Sequence, residues 1–106
     1  MRREVMSLER GISIAGTITV DYNKVIDHYA EKGMLSNILS CTRNVGCVSN
    51  TIINLSKIDP TIPLYAYGGI GNDENGAFVL SVLKKHGINT DGIKIFDGEL
   101  TSFTDC

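Results

Sequence analysis

The stretch I-S-I-A-G-T-I-T-V-D, Ile12 to Asp21, decides how the rest of the chain is read. Ile12 to Val20 carries no charge and is rich in β-branched side chains. Such a run predicts a strand buried on both faces, as in a parallel sheet. Gly16 inside it marks a close backbone approach or a strand end. Asp21 closes the run. A carboxylate at the end of a buried strand stands where open α/β sheets contact ligands, although the same residue suits an ordinary turn.

The chain after Asp21 alternates between strand and helix patterns. Tyr22 to Ser40 mixes charges with Val25, Ile26, Tyr29, Met34, Leu35, Ile38 and Leu39. It reads equally as a short amphipathic helix or as two strands turning at Glu31-Lys32-Gly33. Gly46 to Ile58 predicts a helix, with Val48, Ile52, Leu55 and Ile58 on one apolar stripe. Asp59-Pro60 ends it, because the residue before proline is pushed out of the helical region. Pro63 to Tyr67 reads as a short strand, followed by a glycine-rich loop, G-G-I-G-N-D-E-N-G.

Asn72 or Asp73 would cap the next helix. Ala77, Val79, Leu80 and Leu83 would supply its buried face, and Gly87 its stop. N-T-D-G predicts a turn before a strand at Lys94 to Phe96. Asp97-Gly98 then predicts a hairpin-like turn into Leu100 to Thr104. This order of elements argues for an α/β fold with a largely parallel sheet.

Composition narrows the function classes. The 106 residues are 42% hydrophobic and 21% charged, which fits one globular domain. A net charge of -2, with no basic cluster beyond Arg2-Arg3 and Lys84-Lys85, argues against nucleic acid as a partner. Cys41, Cys47 and Cys106 form neither a disulfide framework nor a zinc pattern. The N-terminus lacks the apolar segment of a signal peptide, and no apolar run approaches the ~20 residues of a membrane span. The expectation is a soluble cytoplasmic protein with no metal site; Met6 is an alternative start.

The candidate site residues carry modest signals individually. Asp21 can accept two ligand hydroxyls, and such charge-assisted bonds are strong. Gly46 bares the backbone beside a helix start, with Asn50 one turn on. Spacing alone makes that corner an ordinary helix start. Gly69-Ile70-Gly71 begins a dinucleotide-type fingerprint, but Glu74 stands where its third glycine belongs, and no Gly-Lys-Ser/Thr follows. Cys47 at a helix N-terminus suits either a reactive or a quiet thiol. His28 and His86 read as surface residues, and Tyr65 and Tyr67 as strand packing.

In order, I-A-G-T-I-T-V-D, G-C-V-S-N-T, G-G-I-G-N-D-E-N-G and K-K-H-G-I-N-T-D-G-I resemble the N-terminal part of the ribokinase-like (PfkB) carbohydrate kinases. The resemblance spans roughly Ile12 to Cys106. It implies a ribokinase-like, Rossmann-type parallel sheet with helices, plus a small β lid at about 22–40. That choice favours strands for the segment left open. Residues 1–10 would be an extension and 11–106 the N-terminal portion of a kinase domain, without its C-terminal catalytic portion.

By the same resemblance, Asp21 binds sugar hydroxyls, and Gly46 and Asn50 line the pocket with Thr19 and Cys47 at its edge. Gly71, Asp73 and Gly76 match the family's structural Gly-x-Asp-x-x-Gly turn. The substrate would be a sugar or nucleoside, with ATP and Mg²⁺ as cofactors of the complete enzyme and neither expected to bind this chain alone. A homodimer through the lid is implied.

Two residues depart from the pattern. Val45 replaces the first of two adjacent glycines, and Thr19 replaces an asparagine two before the aspartate. The family's Gly-Ala-Gly-Asp anion hole has no counterpart in these 106 residues. The expectation is therefore a truncated, inactive kinase; the alternative is a non-catalytic sugar-binding or dimerisation module.

Overall fold

A computed structural model describes residues 10–105. The expected extension, apart from Arg10, lies outside the described residues, as do Met6 and Cys106. The elements are β1 (Ile12–Ala15), β2 (Ile18–Ile26), β3 (Ile38–Cys47), α1 (Val48–Ile58), β4 (Leu64–Gly71), α2 (Glu74–Lys85), β5 (Asn89–Phe96) and β6 (Ser102–Asp105). The fold is α/β, as expected. It holds two three-stranded sheets, ordered β1-β4-β5 and β3-β2-β6.

The opening stretch is two strands, not one. Gly16 sits at φ +152 between them, a backbone angle that side chains resist. There the chain leaves the first sheet, where β1 runs parallel to β4, and enters the second, where β2 runs antiparallel to β3. Burial follows the break. Ile12 at the outer edge of its sheet is exposed, whereas Ile18 and Val20 are buried. Apolar composition cannot report a change of sheet, because both halves are β-rich.

No helix forms in the segment left open: its ends belong to β2 and β3, and residues 27–37 form the loop between them. The β2–β3 ribbon runs well beyond the expected lid, from Ile18 to Cys47, and reverses through Lys32 and Gly33. Gly33 adopts φ +79, which glycine allows without strain.

Helix α1 starts two residues later than predicted, since Gly46 and Cys47 still belong to β3. Its buried face is Val48, Ser49, Ile52, Ile53 and Ser56, while Ile58 is exposed at the helix end. Asp59 terminates it in an extended conformation, as the following proline requires. Helix α2 is capped by Asp73, whose carboxylate accepts from the Gly76 amide at 2.8 Å. Gly87 follows its C-cap at φ +73. Gly76, Val79 and Leu83 face inward, but Ala77 is exposed.

Three further expectations change. The glycines Gly68, Gly69 and Gly71 lie within β4 rather than in a loop. N-T-D-G lies within β5. Asp97-Gly98 is a turn but not a hairpin, because β6 crosses to the second sheet and pairs parallel with β2. In the first two cases close packing uses the glycine, whereas Gly98 supplies a positive φ of 79 with open space around it. A side chain at Gly92 would strike the Tyr67 ring at 2.3 Å, and one at Gly71 would strike the Glu99 carbonyl at 2.1 Å.

Both helices pack on β4, and α1 also touches β1 and β2. Ile18, Val20, Ile52, Ala66, Val79 and Leu83 form the centre of the core, each 2% exposed or less. Burying an aliphatic side chain of this size contributes about 1.5–3 kcal/mol.

Candidate functional site

The β2–β3–β6 sheet has two unlike faces. Alternation along each strand puts Ile18, Val20 and Tyr22 on one face and Thr19, Asp21 and Asn23 on the other. Paired residues share a face. The pairs Thr19↔Gly46, Asp21↔Asn44 and Asp21↔Thr104 therefore gather a polar patch around Asp21. Ile18 and Val20 enter the core from the opposite face.

Thr19, Asp21, Gly46 and Cys47 lie together at one corner of this face. A Cβ placed on Gly46 would lie 2.7 Å from both Asp21 Oδ2 and Thr19 Oγ1. Glycine is thus the residue that leaves room for the carboxylate. Thr19 Oγ1 donates toward Cys47 Sγ at 3.6 Å, and Asp21 Oδ1 accepts from Thr104 Oγ1 at 2.6 Å. Asn50 does not touch this group through a side-chain hydrogen bond. It joins Asp21, Asn23 and Asn44 in lining a pocket of about 440 Å³ that Asn54 and Lys57 extend along α1.

Cys47 is the N-cap of α1 at φ 55 and ψ -124, and its side chain makes no capping hydrogen bond. It has the only positive φ outside glycine among the described residues. The unusual backbone thus lies two residues beyond Val45. Val45 itself stays an ordinary strand residue, paired with Val20.

Gly71, Asp73 and Gly76 form a second cluster, at the β4–α2 turn. Asp73 is its hub. Its Oδ1 accepts from Thr101 Oγ1 at 2.6 Å and its Oδ2 from the Thr101 amide at 2.9 Å, besides the cap bond to Gly76. Thr101, only 1% exposed, accepts in turn from the Gly71 amide at 3.0 Å. The Thr101 hydroxyl, followed by its amide, holds the Asp73 carboxyl below the usual carboxylate range. A Cβ on Gly76 would stand 2.3 Å from the Gly71 carbonyl, so the turn closes only over glycine.

A third set of contacts ties the ribbon to α2. Tyr22 Oη and Asn75 Oδ1 lie 2.9 Å apart, Arg43 Nη1 donates to Asn75 Oδ1 at 3.0 Å, and the Arg43 guanidinium sits 4.2 Å over the Phe78 ring. Neither histidine joins a catalytic constellation. His28 pairs with its neighbour Asp27, and His86 Nδ1 bonds the Val82 carbonyl within α2. No three metal-ligating side chains converge among the described residues. None of the described helices is long and apolar enough to cross a membrane.

Sequence reading missed Thr101 and Thr104. Both lie in a segment read as one arm of a hairpin, and nothing local signals that β6 pairs with β2. Asn44 was missed for the same reason, since only the ribbon register brings it opposite Asp21.

Comparison with known proteins follows the fold. No family model and no curated protein matches the chain. Solved structures do match. The fructokinase of Halothermothrix orenii is 26% identical, with a TM-score of 0.74 over 90% of this chain and 32% of that one. Ribokinase of Arabidopsis thaliana, complexed with ribose and ATP, is 18% identical with a TM-score of 0.76 over 91% and 31%. The nucleoside kinase of Methanocaldococcus jannaschii is 22% identical with a TM-score of 0.73 over 92% and 33%. The chain spans about a third of the length of each of these kinases. Its two sheets, two helices and connecting ribbon have the fold of that portion of the ribokinase-like sugar kinases.

Proposed function

We propose that this chain is the substrate-binding and lid portion of a sugar kinase. The complete enzyme would transfer the γ-phosphoryl of ATP to a sugar or nucleoside hydroxyl, with Mg²⁺. The observation that carries the reading is the gathering of Thr19, Asp21 and Gly46 on one polar face, within a ribokinase-like fold. Asp21 would accept sugar hydroxyls, Asn50 would contact the same ligand, and Thr19 and Cys47 would border it. The Arabidopsis ribokinase, with ribose and ATP bound, supports the choice of ligand class.

The chain by itself would not catalyse. Phosphoryl transfer depends on groups that position the phosphates and spread their charge. The glycines that resembled a phosphate loop belong to β4, and Asp73 and Glu74 stand at the start of α2, where they oppose an anion. This supports assigning ATP, Mg²⁺ and the catalytic base to residues outside these 106.

Titration calorimetry of the purified chain with D-ribose, D-fructose and adenosine tests the binding role. Asp21→Ala is expected to weaken binding at least tenfold, about 1.4 kcal/mol, with an unchanged circular dichroism spectrum. Equal affinity of mutant and parent would reject the role of Asp21. ATP-dependent phosphorylation of any of these ligands by the chain alone would overturn the assignment of catalysis elsewhere.

A second reading, a non-catalytic dimerisation module, is favoured by one observation. Tyr29 and Leu35, in the reversal of the ribbon, are 93% and 89% exposed, and Val25, Met34, Ile38 and Leu39 are exposed beside them. Large apolar side chains exposed together in one segment are a feature of association sites. Both readings place an interface at the lid. Sedimentation after deleting Asn23 to Leu39 is expected to return a monomer; a dimer that persists would exclude this segment.

A further inference from the structure

The geometry points to Thr104 as a positioning residue for the Asp21 carboxylate, held in place from the other sheet by the Asp73–Thr101 clamp. This rests on the proposed sugar-binding role of Asp21 and goes beyond it. It joins two clusters that neither sequence nor resemblance connects.

The chain of contacts is continuous. Asp73 grips the Thr101 amide and hydroxyl through both carboxylate oxygens. Thr101 is buried and also accepts from the Gly71 amide, so its position relative to β4 is fixed. β6 begins at the next residue and runs parallel to β2 with Asp21 opposite Thr104. Thr104 Oγ1 then donates to Asp21 Oδ1 at 2.6 Å. On the other side, Gly46 leaves the space that Oδ2 occupies.

A threonine hydroxyl has one proton to donate. Spent on Asp21, that proton is not offered to a ligand. The ionised carboxylate has about four acceptor sites. With Oδ1 engaged by Thr104 and the carboxylate plane thereby set, Oδ2 keeps its own sites for ligand hydroxyls. An aspartate without this partner would have to give up rotamer freedom on binding, which weakens affinity. The device orients the carboxylate before the ligand arrives, and the ligand contact itself remains with Asp21.

Two substitutions and two readouts test this. Thr104→Val keeps the shape and removes the donor; Thr104→Ser restores the donor. Calorimetry with D-ribose, D-fructose and adenosine is expected to show roughly tenfold weaker binding for Thr104→Val and near-parental binding for Thr104→Ser. Equal affinity for Thr104→Val and the parent overturns the inference. A loss that Thr104→Ser does not rescue also overturns it, since packing would then explain the effect.

The second readout needs no ligand. The carboxyl ¹³C resonance of Asp21 at neutral pH is expected to move in Thr104→Val and return in Thr104→Ser. An unmoved resonance overturns the positioning role whatever the sugar measurements give. If the resonance moves and the parent binds none of the three probes, the hydrogen-bond device stands and the sugar reading fails.

Discussion

Replacing Asp73 by alanine should unfold the chain well below its normal midpoint. The carboxylate caps α2 and holds the amide and the hydroxyl of Thr101. Loss of an N-cap costs about 1 kcal/mol, with a range of roughly 0.5–2. A buried donor left without its partner costs about 1–3 kcal/mol, and Thr101 is 1% exposed. These contributions share one residue and will not add fully. A total of about 2–4 kcal/mol is a substantial part of the ~5–15 kcal/mol that stabilises a domain.

At about 4–8 °C per kcal/mol for a domain near this size, the midpoint should fall by roughly 8–32 °C. Thermal melts followed by circular dichroism measure it. A midpoint within about 2 °C of the parent would refute the clamp. A double mutant with Thr101→Val sharpens the test, because directly bonded partners should show a coupling energy of about 0.5–3 kcal/mol.

The same carboxylate sets a pH dependence. Its pKa is lowered in the fold, chiefly by the Thr101 hydroxyl. A lowered carboxylate stabilises the fold above its unfolded value, near 3.9, and that contribution disappears as pH falls through it toward the folded value. Asp73→Asn cannot titrate. The stability gap between parent and Asp73→Asn should therefore be full at neutral pH and shrink as pH drops below about 4. Urea melts at a series of pH values measure the gap; one that stays constant or widens in acid would contradict the assignment.

Two further outcomes follow from the site. Gly46→Ala adds a Cβ only 2.7 Å from Asp21 Oδ2 and Thr19 Oγ1, so it should cost about 1–3 kcal/mol and impair sugar binding by displacing the carboxylate. Retained affinity in calorimetry would show that Asp21 does not need the space. Cys47→Gly relieves a backbone at φ 55 whose strain is about 1–3 kcal/mol, against a glycine entropy cost of about 0.5–1. A midpoint raised by several degrees is expected; a lowered one would mean that the cysteine side chain contributes more than its backbone costs.

The element types were legible in sequence wherever the signal was local. A cap at Asn72 or Asp73, Gly87 as a stop and Asp59-Pro60 as a helix end each act through chemistry within a few residues, and the structure has all three, with Asp73 as the cap. The candidate residues Thr19, Asp21, Gly46 and Cys47 were found together because their motifs flank two strands that happen to pair. What tertiary structure decided was partnership. An apolar β-branched run looks the same whether it stays in one sheet or switches sheets at Gly16, and a turn at Asp97-Gly98 looks the same whether the next strand returns or crosses over. Cross-sheet hydrogen bonds between residues far apart in sequence leave no periodic trace. The sequence alone therefore determined the candidate residues, and only the folded chain decided that Thr104 contacts Asp21 and that Asp73 holds Thr101, just ahead of the same strand.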